Sequence, residues 1–397
     1  MGSMTKEEKF MKKAIAMTLA AAMAASMLAG CGGGSSSQTT AAAGSGASGD
    51  TTKAAADTQA AADDDNYHLD IKFSNVFQPT EWNYKASEKL AKEITEKTDG
   101  HITVTYYGQN ELDCYGDSVT QAVNGADWMG LEEPSLFADY VGDTAVLVGP
   151  MLYRNDAEYN YIMDSDIVSD IKQRLAEQNI HILDTQYSFG FRNVVTNRDI
   201  VKPDDLKGVK MRATSSALFV KTLEAMGATA VPMSFTECLS AISSGVVEGF
   251  EGSTSTLAGA GAPYELVKKV AKTNHLMATR WLFMPEDLYQ SIPEKYRTVI
   301  DECAKECGEW EQKSCEDDEA SMIEMLKQNG VTWNDVDTEA FEEACAPVYD
   351  WIVSEYGADP DLHQKIVDEL TEFRKTEPAE STQADGAAAA ESSSAAK

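Results

Sequence analysis

The chain has 397 residues, of which 43% are hydrophobic, and a formal net charge of −32 at pH 7. The length allows two or three domains, and the hydrophobic content is ordinary for a globular protein with a substantial core. Nucleic-acid binding needs a basic stripe, and no run of Lys or Arg interrupts the acidity of the folded region, so we expect no nucleic-acid partner. An anionic ligand would need a local positive site set against the overall charge.

The N-terminus has the pattern of a bacterial export signal. Four lysines between residues 6 and 13 precede an apolar run from Ala14 to Leu28, which is too short for a membrane-spanning helix. The run continues to Cys31 in a sequence that resembles the lipoprotein box, whose cysteine is acylated. We predict a signal peptide over residues 1–30 and a lipid anchor through Cys31, which places the protein on the extracytoplasmic side of the cell membrane. The alternative is a chance cysteine after an ordinary signal peptide.

Two segments have compositions that predict disorder. Residues 32–65 are nearly all Gly, Ser, Thr, Ala, Gln and Asp, which cannot bury enough apolar surface to offset the entropy of ordering. We therefore expect residues 31–66 to be a flexible tether between the anchor and the folded part. Residues 376–397, rich in Ala, Ser and Glu, are predicted to be a disordered tail.

The first half of the folded part alternates strands with helices. The predicted elements are a strand over 68–74, a helix over 82–97, a strand over 101–108, a helix over 118–123, a strand over 127–131, an apolar run over 143–152, a helix over 155–178 and a short strand over 181–185. This alternation predicts an α/β protein with a mostly parallel sheet flanked by helices.

The second half repeats the alternation and adds a long helix. Strands are predicted around Arg192, over 208–212, 230–233, 246–251 and 274–284, and at 331–333, with helices over 215–226 and up to Ser244, a short helix near Tyr264, a helix over 293–328 and further helices over 338–370. The helix over 293–328 exceeds what one compact lobe needs. We therefore expect it to run along two lobes and couple them.

Arg192 and Arg212 each lie in or at the end of a predicted strand, which is where open α/β sheets bind ligands. A guanidinium group presents a fork of donors that a carboxylate can accept bidentately, and it loses no proton near neutral pH. We interpret Arg212 as a carboxylate clamp. Residue type alone leaves the alternative of a surface arginine paired with one of the many acidic side chains.

The six cysteines after Cys31 do not have a metal-binding spacing. Cys303 and Cys307 lie one helical turn apart, and neither they nor Cys315 fit a zinc pattern. A domain of this size folds without disulfides, so we expect buried or free thiols, with metal binding as the alternative. We predict no metal and no cofactor.

The motifs between residues 190 and 251 resemble those of the extracytoplasmic solute-binding proteins of TRAP (tripartite ATP-independent periplasmic) transporters, of the dicarboxylate-binding, DctP-like type. The matching segments are the strand around Arg192 as far as Arg198, the turn and strand over 203–212, the residues over 223–228, those over 231–237 and those over 245–251. The similarity extends more loosely from about Asp70 to Leu370.

This resemblance implies a two-lobe periplasmic-binding-protein-like fold. Strands cross between the lobes, a long helix spans both, and the ligand is enclosed by hinge motion. We assign residues 67–189 and 278–317 to lobe I, and residues 190–277 and 318–375 to lobe II.

The resemblance also implies a set of ligand-binding residues. Arg212 would form the principal salt bridge to the ligand carboxylate, and Arg192 would make a second contact. Phe235 would pack its ring against the ligand, Glu132 would line the pocket, and Phe77 would lie close to the opening of the cleft.

The chain departs from the family pattern at two positions. Gly252 stands where the family commonly has an asparagine that contacts the ligand, and Phe250 replaces a glutamine. A donor is lost and an aromatic ring is added. We expect these two positions to select the acid, in favour of a bulkier or more apolar one.

The predicted function is capture of an organic acid anion and its delivery to the TRAP membrane permease, without chemical change. A surface-anchored hydrolase of acidic substrates is an alternative, but the sequence has neither a Gly-x-Ser-x-Gly elbow nor a His-Glu-x-x-His motif. The other alternative is a ligand sensor or a binding protein for an ATP-driven importer.

Overall fold

One nine-stranded sheet runs through residues 66–376, the part of the chain that the computed structural model describes. The predicted signal peptide, Cys31, the tether as far as residue 65 and the tail from residue 377 lie outside the described residues. The strands are β1 (Leu69–Ser74), β2 (Ile102–Tyr107), β3 (Trp128–Glu132), β4 (His181–Thr196), β5 (Lys210–Ala213), β6 (Thr229–Pro232), β7 (Gly249–Gly252), β8 (Lys269–Met284) and β9 (Thr332–Asn334).

The sheet has two parallel halves joined by two long antiparallel strands. Its order is β2-β1-β3-β8-β4-β7-β5-β6, with β9 paired to β8. In the half called lobe I, β1 is parallel to β2 and β3, and in the half called lobe II, β5 is parallel to β6 and β7. β4 and β8, each of 16 residues, pair along their length and pass through both halves. The predicted two-lobed α/β fold is therefore confirmed.

Thirteen α-helices of the described residues cover this sheet. They are α1 (Trp82–Lys97), α2 (Gly116–Val123), α3 (Asp143–Leu147), α4 (Asp156–Met163), α5 (Asp166–Ala176), α6 (Ala217–Ala225), α7 (Phe235–Ser243), α8 (Thr254–Ala258), α9 (Glu286–Ser291), α10 (Glu294–Gln328), α11 (Thr338–Cys345), α12 (Pro347–Tyr356) and α13 (Leu362–Thr376). None of the helices within residues 66–376 is long and apolar enough to cross a membrane.

The long helix α10 links the cores of the two lobes. Near its start, Ile300 and Cys303 pack with Phe73 and other residues of lobe I. Near its end, Leu326 packs with Val267 in a cluster of lobe II. Because one rigid element contributes to both cores, the predicted coupling helix is confirmed.

Three predicted elements differ from the structure. The strands predicted over 181–185 and around Arg192 are one strand, β4, whose register shifts hide its continuity. The helix predicted over 155–178 is two helices, α4 and α5, because the backbone at Ser165 is extended and starts a second helix. The apolar run over 143–152 contains the short helix α3.

The C-terminal helix α13 was predicted to belong to lobe II, but it packs against residues of the segment predicted as lobe I. Its buried residues Leu362, Ile366 and Leu370 share a core cluster with Phe137 and Tyr159 of the segment predicted as lobe I. The assignment of residues 318–375 to lobe II, like the other lobe boundaries, stays a prediction.

Candidate ligand-binding site

A cavity of about 290 Å³ opens where the carboxyl ends of the parallel strands of the two lobes meet, next to the crossing strands. This is the expected place for a ligand in an open α/β sheet, and the volume suits a small molecule. Lobe I contributes Val76, Phe77, Gln78, Glu81, Asn110 and Tyr115, the crossing strands contribute Phe189, Arg192 and Arg280, and lobe II contributes Arg212, Thr214, Ser234, Phe235, Thr236, Leu239, Thr256, Ala260 and Gly261.

Four of the seven residues predicted to bind ligand line this cavity. They are Arg192, Arg212, Phe235 and Phe77. The structure therefore brings the two arginines and two aromatic rings together from both lobes, although they lie far apart in the chain.

Arg212 lies on β5 and is only 3% exposed. Its Nε donates to the Met233 carbonyl oxygen at 3.0 Å, and its Nη1 donates to Thr214 Oγ1 at 3.3 Å. The guanidinium carbon lies 5.5 Å from the centroid of the Phe235 ring. These contacts fix the plane of the group while leaving several of its N–H donors for another acceptor.

Arg192 lies on β4 and is paired with Glu251 of β7. Its Nη2 donates to Glu251 Oε1 at 2.9 Å, and its Nε donates to Glu251 Oε2. Burial raises the pKa of Glu251, but the charge and hydrogen bonds of Arg192 and the neighbouring His275 together more than offset burial and hold that pKa at about 2. Glu251 is therefore ionised, and it also lies 3.9 Å from Arg212 Nη1.

Phe235 is the first residue of α7, and Phe250 lies behind it. Ser234 caps the helix, with Glu237 Oε2 accepting from the Ser234 backbone N–H at 3.1 Å. Phe250 is fully buried and meets Phe235 edge to face at 5.5 Å between centroids. Phe250 is not among the cavity-lining residues, so it contacts the site through Phe235.

Gly252 is buried and has little room for a side chain. A Cβ at this position would lie 3.0 Å from Phe250 Cε2 and 3.2 Å from Thr256 Cγ2. Gly252 does not line the cavity either. The two residues that depart from the family pattern therefore fill space against each other beneath the cavity wall.

Glu132 lies at the end of β3 and supports a cavity residue from behind. It is 1% exposed, and its Oε1 accepts from the Tyr115 backbone N–H at 2.7 Å. Tyr115 has a φ of 58°, a conformation that non-glycine residues seldom adopt. Burial raises the pKa of Glu132 to about 8. The carboxyl group thus holds Tyr115 in its unusual conformation, and Tyr115 lines the cavity.

Sequence reasoning missed Arg280, Tyr115 and Phe189. Arg280 is 6% exposed and lies in the long strand β8, where every residue from His275 to Met284 is buried. A charged residue inside such an apolar strand is rare, and that was the signal available in the sequence. Tyr115 and Phe189 had no comparable signal, because their place in the cavity depends on tertiary structure.

Metal binding has no support within residues 66–376, where no group of three His, Cys, Asp or Glu side chains is placed to hold an ion. The six cysteines in this range are free and buried. Cys303 and Cys307 face lobe I as part of its apolar core.

Two α/β lobes with crossing strands, around a cavity lined by buried arginines, define a two-lobed solute-binding protein. Residues 73–355 match DctP, the bacterial extracellular solute-binding protein family 7. The chain belongs to that family.

Solved structures of TRAP periplasmic solute-binding proteins resemble this chain along most of its length. The protein from Desulfovibrio salexigens, in complex with diglycerolphosphate, is 36% identical with a TM-score of 0.75, over 78% of this chain and 98% of that one. The protein from Fusobacterium nucleatum, with bound sn-glycerol-3-phosphate, is 32% identical with a TM-score of 0.75, over 77% and 98%. The protein from Actinobacillus succinogenes, with bound L-galactonate, is 28% identical with a TM-score of 0.72, over 77% and 100%.

Proposed function

We propose that this protein captures an organic acid anion between its two lobes and delivers it, chemically unchanged, to the membrane permease of a TRAP transporter. The observation that carries this proposal is the pair of buried arginines, Arg192 and Arg212, on the wall of a small cavity. Within residues 66–376, Glu251 supplies the carboxylate that forms ion pairs with these two arginines. The ligands named for the three related structures are also organic anions.

Arg212 is the proposed clamp for the ligand's anionic group. Its remaining N–H donors can bind a carboxylate or phosphate bidentately, while Met233 and Thr214 hold the guanidinium in place. The Nε and Nη2 of Arg192 donate hydrogen bonds to Glu251. We therefore propose that Arg192 makes a second, weaker contact with the ligand and adds to the positive charge of the site.

The aromatic residues close the site from both lobes. Phe235 of lobe II presents its ring beside Arg212. Phe77 of lobe I lines the cavity from the other lobe, and its ring meets that of Phe189 edge to face, with 5.6 Å between the ring centroids. Glu132 contributes indirectly, because it accepts a hydrogen bond from Tyr115, which lines the cavity. Phe250 and Gly252 influence the ligand through the position of Phe235, which is the way in which we propose that they affect selectivity.

Binding is coupled to closure of the lobes. The hinge would lie where β4 and β8 cross, near Gly190, which has a φ of 86°, and near the register shifts on either side of it. Closure removes water from around the anion and the arginines, which strengthens their attraction and makes the unpaired state unfavourable. The boundaries proposed for the lobes are 67–189 with 278–317, and 190–277 with 318–375.

The N-terminal segment is proposed to anchor this domain to the membrane. Removal of residues 1–30 would leave Cys31 acylated at the N-terminus, with residues 31–66 as the tether. Metabolic labelling with a fatty-acid analogue should mark the wild-type protein and not Cys31→Ser. Labelling of both, or of neither, would contradict the anchor.

The binding proposal is tested with the mature full chain and a panel of dicarboxylates, keto acids, sugar acids, aromatic acids and phosphate esters. A true ligand raises the Tm by mass action. Mass spectrometry of the recovered ligand should show the same molecule, whereas a hydrolysis product would favour the hydrolase alternative.

Substitution of Arg212 then tests the clamp. Arg212→Ala and Arg212→Lys should keep the fold and lose about 100-fold or more in affinity by calorimetry, because the anion loses a bidentate, desolvated partner. Arg198→Ala is the matched control, since the Arg198 side chain is 53% exposed and pairs with Glu248 at the surface of the described part of the chain. Unchanged affinity in Arg212→Ala, or a Tm raised by a neutral sugar and by no acid, would show the assignment to be wrong.

A further inference from the structure

A third arginine, Arg280, lies on the wall of the same cavity. It is 6% exposed and is carried by β8, where it pairs across the sheet with Tyr187 of β4. Its guanidinium carbon lies 5.3 Å from the ring centroid of Phe77 and 5.3 Å from that of Phe189. Two aromatic rings therefore hold a buried cation against the cavity.

Arg280 has little hydrogen bonding among the described residues. Its Nη1 donates to the Thr279 carbonyl oxygen at 2.7 Å, and its buried Nε has no partner within residues 66–376. Within this part of the chain, no carboxylate oxygen lies within 4.0 Å of a guanidinium nitrogen of Arg280, the distance that defines an ion pair. This contrasts with Arg192, which forms two hydrogen bonds to the Glu251 carboxylate.

Glu132 and Glu133 are carboxyl groups whose charge acts on Arg280, and within residues 66–376 neither forms an ion pair with it. Glu132 Oε1 accepts from Tyr115, and Glu133 Oε1 accepts from the Ser135 backbone N–H at 3.0 Å. Burial raises the pKa of Glu132 to about 8 and also raises the pKa of Glu133. Glu81, on the cavity wall, has its pKa raised by burial to about 7.

Arg280, Arg212 and Tyr115 line the same cavity. Burial raises the pKa of the Tyr115 phenol, while the charges of Arg212 and Arg280 both lower it. A ligand beside Tyr115 would therefore meet Arg212 from lobe II and Arg280 from the crossing strands.

We propose that Arg280 is a second anion-binding residue of the cavity, and that the ligand carries two negative charges, one held by Arg212 with Arg192 and the other by Arg280. The inference rests on the proposed function and specifies the charge of its ligand. Within residues 66–376 the three guanidinium groups form ion pairs with one carboxylate, that of Glu251, which leaves two positive charges in excess. A buried charge without a partner is unfavourable, and a doubly charged ligand supplies the missing partner.

Phosphate monoesters and dicarboxylates share this chemistry, since each carries two negative charges near neutral pH. The test uses two matched pairs of probes, sn-glycerol-3-phosphate against glycerate and malate against lactate, with calorimetry on the mature full chain. In at least one pair the dianion should bind about 30-fold more tightly than the monoanion. The pair that shows the difference identifies the source of the second charge.

Arg280→Gln tests whether this preference comes from Arg280. Glutamine keeps hydrogen-bonding capacity without the charge, so dianion affinity should fall to the level of the monoanion, while monoanion affinity stays within about threefold. Arg198→Gln, at an exposed site, should leave both affinities unchanged. Equal loss for the dianion and the monoanion would contradict a second subsite.

The unliganded protein gives a second readout that a structural role would not produce. Because Arg280→Gln removes an unpaired buried charge, the Tm without ligand should stay the same or rise, while the Tm shift by the dianion shrinks. A fall in the unliganded Tm of about 5 °C or more, which marks a loss of stability, would make Arg280 structural and overturn the inference. Binding of monoanions without a preference for dianions would overturn this inference alone, whereas a Tm unaffected by any anion would overturn the proposed function as well.

Discussion

Glu251 and Arg192 form an ion pair that is almost completely buried, with side chains 1% and 4% exposed. Each carboxylate oxygen accepts from a different guanidinium nitrogen, so neither charge is left without a partner. The pair ties β7 to β4 directly below the cavity. One of the two cavity arginines that sequence reasoning identified is therefore held by the protein itself, and Arg212 is left as the freer of the two.

Glu251→Gln should destabilise the protein strongly, because it leaves the buried charge of Arg192 without its counter-charge. The expected loss in free energy of unfolding is about 3–5 kcal/mol, measured by urea denaturation. Glu248→Gln is the control three residues away, where the exposed pair with Arg198 contributes at most about 1 kcal/mol. Equal losses in the two variants would argue against the buried pair as a structural element.

The same pair makes a contribution to stability that is lost in acid. The pKa of Glu251 is about 2 in the folded protein against an ordinary 4.5, so its stabilisation is fully present above pH 4.5 and disappears as the pH falls toward 2. Proton uptake on unfolding, followed by the pH dependence of the urea midpoint, should show this loss. Glu251→Gln should flatten the curve in that range, and an unchanged slope would contradict the assignment.

The raised pKa of Glu132 leads us to expect the opposite dependence of stability on pH, between pH 4.5 and 8. Its folded pKa of about 8 lies above the ordinary 4.5, so between these values the unfolded chain has released a proton that the folded protein keeps. Stability therefore falls as the pH rises from 4.5 to 8. Glu132→Gln, which can still accept from the Tyr115 N–H, should reduce this fall. A steeper fall in the variant would contradict the prediction.

The strands and helices could be predicted well wherever a pattern is local. The helix predicted over 293–328 begins and ends within one residue of α10, because its apolar stripe and its flanking residues are continuous in sequence. The continuity of β4 could not be predicted in the same way. Its register shifts and Gly190, with a φ of 86°, interrupt the alternation and imitate a strand end.

Residues of the candidate site could be predicted only where they belong to a recognisable sequence motif. Arg192 and Arg212 belong to such motifs and line the cavity. Phe250 and Glu251 are neighbours on a strand, so their side chains point to opposite faces and the sequence does not decide which of them faces the cleft. The pairing of β7 with β4 brings Glu251 to Arg192. Arg280 stands in no motif, and only the tertiary structure shows that its buried Nε has no hydrogen-bond partner within residues 66–376.

Gly252→Ala should destabilise the protein through a steric contact. The added Cβ would lie 3.0 Å from Phe250 Cε2 and 3.2 Å from Thr256 Cγ2, so the Phe250 ring must move within a packed core. We expect a loss of about 1–3 kcal/mol, together with weaker ligand binding through Phe235. Gly116→Ala is the control, since a Cβ there meets nothing within 4 Å, and it should be neutral or slightly stabilising. A neutral Gly252→Ala would mean that this wall of the cavity is loosely packed.

The six buried thiols should be unreactive until the protein unfolds. Burial raises the pKa of Cys238 and of Cys307 to about 11, and the thiolate is the reactive form. Alkylation of Cys31→Ser at about pH 8, followed by mass spectrometry, should therefore label none of the six in the native state and all of them in urea. Partial native labelling at Cys303 and Cys307 would show that α10 separates from lobe I, since both thiols lie within that interface. Added ligand should then suppress such labelling, because closure of the lobes on an anion stabilises the state in which α10 is packed.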